Sequence, residues 1–188
     1  MDSKAQSQGN QSFEKRTRQG ASQKSSETDP FLVQELNQLL ANEYLLFTRT
    51  LNFHWNVVGP RFHSIHVFLE EQYKELLEMT DEVAERIRYL GSHPVSTLKE
   101  MRSEGSLAED PGHFPNTTNM LAELCDCHEA INGQIQEVLE KDSAFETDMG
   151  TEDLLIQLQR KHQKMIWMLR SHLVAETDGG AAQPSRHN

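Results

Sequence analysis

Apolar side chains recur along this chain at alternating steps of four and three, in long runs separated by prolines and glycines. Steps of that kind mark an amphipathic helix, because a 3.6-residue turn returns positions i, i+3, i+4 and i+7 to one face. The cleanest run is Phe62, His66, Leu69, Tyr73, Leu76, Thr80, Val83, Ile87 and Leu90. Before it lie Leu32, Leu36, Leu39, Leu40, Glu43 and Phe47. After it come Met120, Leu124, Cys127, Ile131, Ile135 and Val138, then Leu155, Leu158, His162, Met165, Leu169 and Leu173. Proline lacks the N–H a helix needs and clashes with the preceding turn. The proline-free stretches therefore predict four helices over about 31–58, 61–90, 116–147 and 151–175. Asp29-Pro30 suits the start of the first, Asn116 or Thr118 the third, and Thr151-Glu152-Asp153 the fourth. No period-two alternation competes, so the fold class is all-α.

Helices of roughly 25–30 residues make a bundle about 40 Å long. The connection 91–115 is too long for a simple hairpin. It holds Gly91, Pro94, Gly105, Pro111 and Gly112, with an apolar pair, Leu98 and Met101, that fits a short helix. A bundle with one long connection carries one crossover. Residues 1–28 are rich in Ser and Gln, hold one aromatic, Phe13, and cannot bury enough surface to order themselves. The expected division is a disordered tail over 1–28, one helical domain over 29–175 and a flexible tail over 176–188.

Charge sharpens that division. The net charge is −11, yet residues 1–28 carry +2 and residues 176–188 carry −1, leaving −12 on the body. An acidic body repels nucleic acid and draws cations. Only the tail, with Lys4, Lys15, Arg16, Arg18 and Lys24, offers phosphates a contact. No stretch approaches the roughly 18 apolar residues of a membrane span, and the N-terminus has no apolar signal core. Cys125 and Cys127 stand two apart on a helix, point to different sides and do not readily pair. A cytoplasmic location follows as the expectation.

The candidate chemistry sits beside the apolar stripe of the second helix. His66, Glu70, Asp81 and Glu85 fall within one arc of about 100°, and His66 with Glu70, like Asp81 with Glu85, are i,i+4 pairs able to meet one ion. His54, just before the turn Val58-Gly59-Pro60, is expected to fold back toward His66. His66 and Asp81 are about 22 Å apart along the helix. A shared ion therefore requires this helix to meet its own symmetry mate, antiparallel, across a two-fold axis, with two sites per dimer. Two histidines and three carboxylates without a thiolate suit iron or a similar divalent ion. Acids on a helix equally serve as a solvated face, and spacing alone leaves both readings open. Lone histidines such as His128 and His162 are expected to be packed or surface residues.

The run His54-Trp55-Asn56-Val57-Val58-Gly59-Pro60-Arg61-Phe62-His63-Ser64-Ile65-His66 resembles the first signature of the Dps family, the DNA-binding proteins from starved cells. Glu70 and Asp81-Glu82-Val83-Ala84-Glu85-Arg86 match the acids that follow it there, with Glu70 at a position that is commonly Asp. Ser96-Thr97-Leu98-Lys99-Glu100 and Lys164-Met165-Ile166-Trp167 resemble two further family segments, so the likeness spans about 31–175. The resemblance implies a ferritin-like four-helix bundle assembled into a homododecameric cage. It implies di-iron ferroxidase centres at two-fold interfaces, with His54, His66, Glu70, Asp81 and Glu85 as catalytic ligands. It further implies Fe(II) oxidation by hydrogen peroxide in preference to oxygen, ferric storage and protection against oxidative damage. His63 is a possible extra ligand, expected to lie outside the ligand set. Trp55 and Trp167 resemble tryptophans near the centre, although both also fit as core anchors. Asp148, Glu152 and Asp153 resemble a three-fold pore lining, and Glu71, Glu75 and Glu78 suit either an inner surface or a solvated one.

Two rivals stand against this. A longer ferritin builds its di-iron site inside one bundle from Glu-x-x-His motifs, and none occurs: Glu123 and His128 are five apart, and Glu129 has no His three beyond. A DNA-compacting scaffold binding through residues 1–28 would place the protein on the nucleoid. The tail's +2 is small beside the body's −12, although twelve tails would act together.

Overall fold

The computed structural model describes residues 29–141, 145 and 148–174; the two tails lie outside them. Five helices make up the described chain: α1 Pro30–Asn56, α2 Phe62–Tyr89, α3 Leu98–Glu104, α4 Thr117–Leu139 and α5 Met149–Leu173. The four long ones form the bundle and α3 is the short helix of the crossover. Helix α4 ends at Leu139, well before the limit of its proline-free stretch. Beyond Val138 the apolar stripe gives way to the polar pair Glu140-Lys141.

The chain's caps explain where helices begin. The Asp29 carboxylate accepts from the Phe31 amide at 2.9 Å, with Pro30 in the first turn. Asn116 caps α4 through the Asn119 amide. Helix α5 starts earlier than expected: Asp148 is its cap, accepting from the Thr151 amide, and Thr151 itself is buried in the first turn. Thr97 and Glu100 form a reciprocal capping box on α3.

Direction follows from contacts. Phe47 meets Tyr73 and His54 meets His66, so α1 and α2 are antiparallel. Asn42 bonds Gln134 and Arg49 meets Cys127, so α4 runs opposite to α1 and parallel to α2. Phe68 against His172 and Arg86 against Thr151 make α5 antiparallel to α2. Two successive parallel helices require the chain to return the length of the bundle, which is the work of residues 90–116. Helix α1 fastens this return: Asn37 accepts from the Val95 amide, and Asn42 accepts from the amides of Ser106 and Leu107. At Gly105 a Cβ would lie 2.4 Å from Leu45 Cδ1 and 3.0 Å from the Met101 carbonyl, so the close approach needs glycine.

Much of the core is the interior predicted by the stripes, including Leu36, Leu69, Leu76, Ile131 and Leu158, and Leu46 and Ile65 join it from beside them. Two differences bear on function. Phe62, placed in the stripe of α2, is half exposed, its ring lying against His66 rather than within the core. Trp55 and Trp167 are 69% and 67% exposed, so neither anchors the subunit's core. Both cysteines are free, buried and turned apart, Cys125 toward Glu129 and Cys127 toward Arg49. Among the described residues no helix is long and apolar enough to cross a membrane.

Candidate metal centre

The turn Val57–Arg61 determines the geometry of the site. Gly59 adopts φ 115°, a backbone conformation that strains any residue with a Cβ, and this reverses the chain tightly enough to set the end of α1 beside the start of α2. His54 and His66 are thereby stacked, with ring centroids 3.8 Å apart and planes 22° from parallel. Each ring is tied to the other's backbone. His54 Nδ1 donates to the His66 carbonyl at 2.9 Å, and His66 Nδ1 donates to the His54 carbonyl at 3.0 Å. A carbonyl only accepts, so both Nδ1 atoms carry hydrogen, and in the neutral rings both Nε2 atoms keep their lone pairs. This is the arrangement that orients a ligating imidazole from behind. Phe62 stacks on the outer side of His66 at 5.0 Å, and Tyr73 stands edge-on to His54 at 5.2 Å. His54 is buried and His66 half-buried.

Glu70 lies one turn beyond His66, half-buried and near both rings. It accepts from Lys74 Nζ at 2.5 Å. The Lys74 ammonium, aided by both histidines, holds the Glu70 carboxyl below its ordinary range, so the group is an anion at neutral pH. Asp81 and Glu85 are exposed at the other end of α2, where Glu85 accepts a long hydrogen bond, 3.4 Å, from the Tyr89 hydroxyl. His63 is exposed on the first turn. One chain thus brings together His54, His66 and Glu70, and keeps Asp81 and Glu85 apart from them. Among the described residues no three His, Cys, Asp or Glu side chains converge closely enough to hold an ion.

The acids near α5 are differently employed. Asp148 pairs with Arg86 and accepts from the Thr151 hydroxyl at 2.6 Å. Glu152 is half-buried, and Asp153, exposed, accepts from Gln157 at 2.7 Å. Glu71 and Glu78 are exposed on α2 and Glu75 is half-buried.

A second histidine pair lies where the sequence suggested only packed or surface residues. His162 and His128 are sealed in the bundle, with Nδ1 atoms 2.9 Å apart, and His162 Nε2 contacts Glu43 Oε1 at 2.7 Å. Glu43 is fully buried and its Oε2 has no hydrogen-bond partner. The signal was present in the apolar stripes, which contain Glu43 and His162 at positions where a charged side chain must be either paired or functional.

The arrangement is that of a ferritin-like protein. The family model of the ferritin-like domain matches residues 33–177. An uncharacterised low temperature-induced protein of Nostoc sp. is 38% identical over 73% of this chain and 77% of its own length. DNA protection during starvation protein 2 of Bacillus anthracis is 33% identical over 76% of this chain and 96% of its own. The crystal structure of Dps from Staphylococcus aureus superposes with a TM-score of 0.74 at 36% identity, covering 80% of this chain and all of that one. The chain belongs to the Dps family.

Proposed function

We propose that this protein is a ferroxidase and iron-storage subunit whose di-iron sites are shared between two chains across a two-fold axis. One observation carries the reading: His54 and His66 present two oriented Nε2 lone pairs, while the acids of matching chemistry, Asp81 and Glu85, lie on the same helix about 22 Å away. An antiparallel partner copy of α2 brings Asp81 and Glu85 of one chain to His54, His66 and Glu70 of the other. The exposed Trp55 and Trp167, Phe62 and Leu77 then become surfaces for subunit contact in a homododecamer.

The substrate is Fe(II). The histidines supply neutral nitrogen donors and the three carboxylates supply negative charge, which favours Fe(III) over Fe(II) and drives oxidation. Glu70 must exchange Lys74 for iron, an exposed pairing that costs little to break. Two Fe(II) together give two electrons to one hydrogen peroxide. With two protons it leaves as two waters, so no hydroxyl radical is formed; oxygen is the slower oxidant. His63 stays outside the ligand set. Glu152 and Asp153 line the iron entry, with Asp148 held by Arg86 as a structural neighbour, and Glu71, Glu75 and Glu78 receive the ferric product.

The curated relative's name speaks of DNA protection. In this chain the basic residues that suit DNA, Lys15, Arg16 and Arg18, precede the described part, and the body carries −12. Protection by removing iron and peroxide fits that balance better than coating DNA. Deleting residues 1–28 is expected to leave ferroxidase activity intact and to weaken any DNA binding.

The deciding experiment is complementation. One variant lacks both histidines (His54→Gly, His66→Gly) and another lacks both acids (Asp81→Ala, Glu85→Ala). Each is expected to be inactive alone while its cage, near twelve times 21.6 kDa by light scattering, survives. A mixed dimer holds one doubly broken site and one intact site. Randomly co-refolded cages are therefore expected to recover about a quarter of the native rate. No recovery with verified mixing would mean a site inside one chain.

A further inference from the structure

The buried Glu43, His162 and His128 are unused by the iron chemistry, and their geometry limits how many protons they hold. We propose that they form an acid-sensitive latch inside each bundle, tying α1, α4 and α5 together and loosening when both rings are called on to be imidazolium. The latch does not depend on the ferroxidase reading. His128 Nδ1 and His162 Nδ1 face each other at 2.9 Å, so one proton lies between them, carried by either ring. The other nitrogen of His162 donates to the Glu43 carboxylate at 2.7 Å. With Glu43 ionised, one imidazolium leaves the cluster neutral. A second sets two N–H groups against each other at hydrogen-bond distance and leaves a net positive charge in a core where all three side chains are at most 1% exposed.

Among the described residues no other buried group relieves that charge. The buried positions of α2 that face the interior, such as Leu69, Gln72, Leu76, Met79 and Thr80, include nothing titratable. On α1 the other buried titratable side chain is His54, at the far end of the helix. On α4 they are Cys125 and Cys127, thiols that burial pushes up and keeps neutral. On α5 His162 stands alone in the core; its neighbour Lys161 reaches out to Glu82 on the surface of α2, and Lys164 is exposed. Burial, with His162 beside it, also pushes the His128 ring well below the ordinary histidine range.

The sign follows from linkage. Unfolded, both rings bind protons below about pH 6.5, whereas the folded cluster admits one. The unfolded chain therefore out-binds the folded cluster only below that pH, and the latch loosens as pH falls through it. Each excess proton makes the unfolding constant rise about tenfold per pH unit.

The test is urea unfolding of the intact assembly between about pH 8 and pH 5, comparing the native chain with His128→Gln, which keeps a hydrogen-bonding partner for His162 without a second ring. Below pH 6.5 the native protein is expected to destabilise more steeply than the variant, by about tenfold in the unfolding constant per chain per pH unit. Equal slopes would overturn the latch. Histidine C2 hydrogen exchange read by mass spectrometry on the native protein provides a check that needs no variant. His128 is expected to show no transition near the ordinary histidine midpoint of about pH 6.5. A normal midpoint at His128 would also overturn it.

Discussion

The two histidine pairs of this bundle differ in where their hydrogen bonds go, and that difference separates chemistry from architecture. His54 and His66 spend their Nδ1 protons on backbone carbonyls and leave their Nε2 lone pairs without a hydrogen-bond partner among the described residues. His128 and His162 spend nitrogen on one another and on Glu43, deep in the core. Both pairs join two helices. Only the first leaves ring nitrogens free to bind an ion, which is what the proposed shared site requires. A histidine pair therefore announces a metal site less by its proximity than by the atoms it leaves unsatisfied.

Variants can break this contrast. The largest effect on activity is expected at the outer pair: replacing His54 and His66 together lowers the rate of fast Fe(II) oxidation by about 100-fold or more in stopped-flow measurements, since even the groups behind metal ligands are worth 10–100-fold. Cage mass and melting temperature should change little. The inner pair should behave in the opposite way. His162→Leu leaves Glu43 buried without its partner and is expected to cost about 3–5 kcal/mol, read as a drop in melting temperature on the order of 10 °C. The rate per folded chain should hold. Equal losses of activity from both pairs would erase the distinction drawn here.

Smaller effects sharpen it. Gly59→Ala strains the turn that stacks the outer rings, at about 1–3 kcal/mol, and is expected to weaken Fe(II) binding more than it lowers stability. Lys74→Gln frees the Glu70 carboxylate from its exposed ion pair and is expected to tighten Fe(II) binding by a few-fold at most. A surface histidine supplies the contrasting pH sign. The Glu123 carboxylate raises His113 above the ordinary range. That pair's small contribution is present below about pH 6.5 and fades as pH rises through the folded value. In melting curves, His113→Gln should matter only on the acid side, opposite in sign to the inner pair.

Much of this was legible in the residues. The four stripes, the caps at Asp29 and Asn116, the crossover and the approach of His54 to His66 all follow from periodicity, proline placement and one tight turn. These are local rules acting within a few residues. The start of α5 at Asp148 was missed because its cap competes with an equally good acidic run three residues on. The place of the tryptophans was missed because apolarity alone does not say whether a large side chain packs within a subunit or on its surface.

By itself, then, the order of residues determined the four long helices, most of the faces that turn inward, and a candidate ligand set too widely spaced for one chain. Periodicity and rise per residue are properties of the backbone and need no partner. The tertiary structure alone decided which nitrogen of each ring is held, that Asp148 is bound to Arg86, and that Glu43 and His162 meet His128 in the core. Hydrogen-bond partners on different helices are joined by packing across many residues, and no local spacing specifies them.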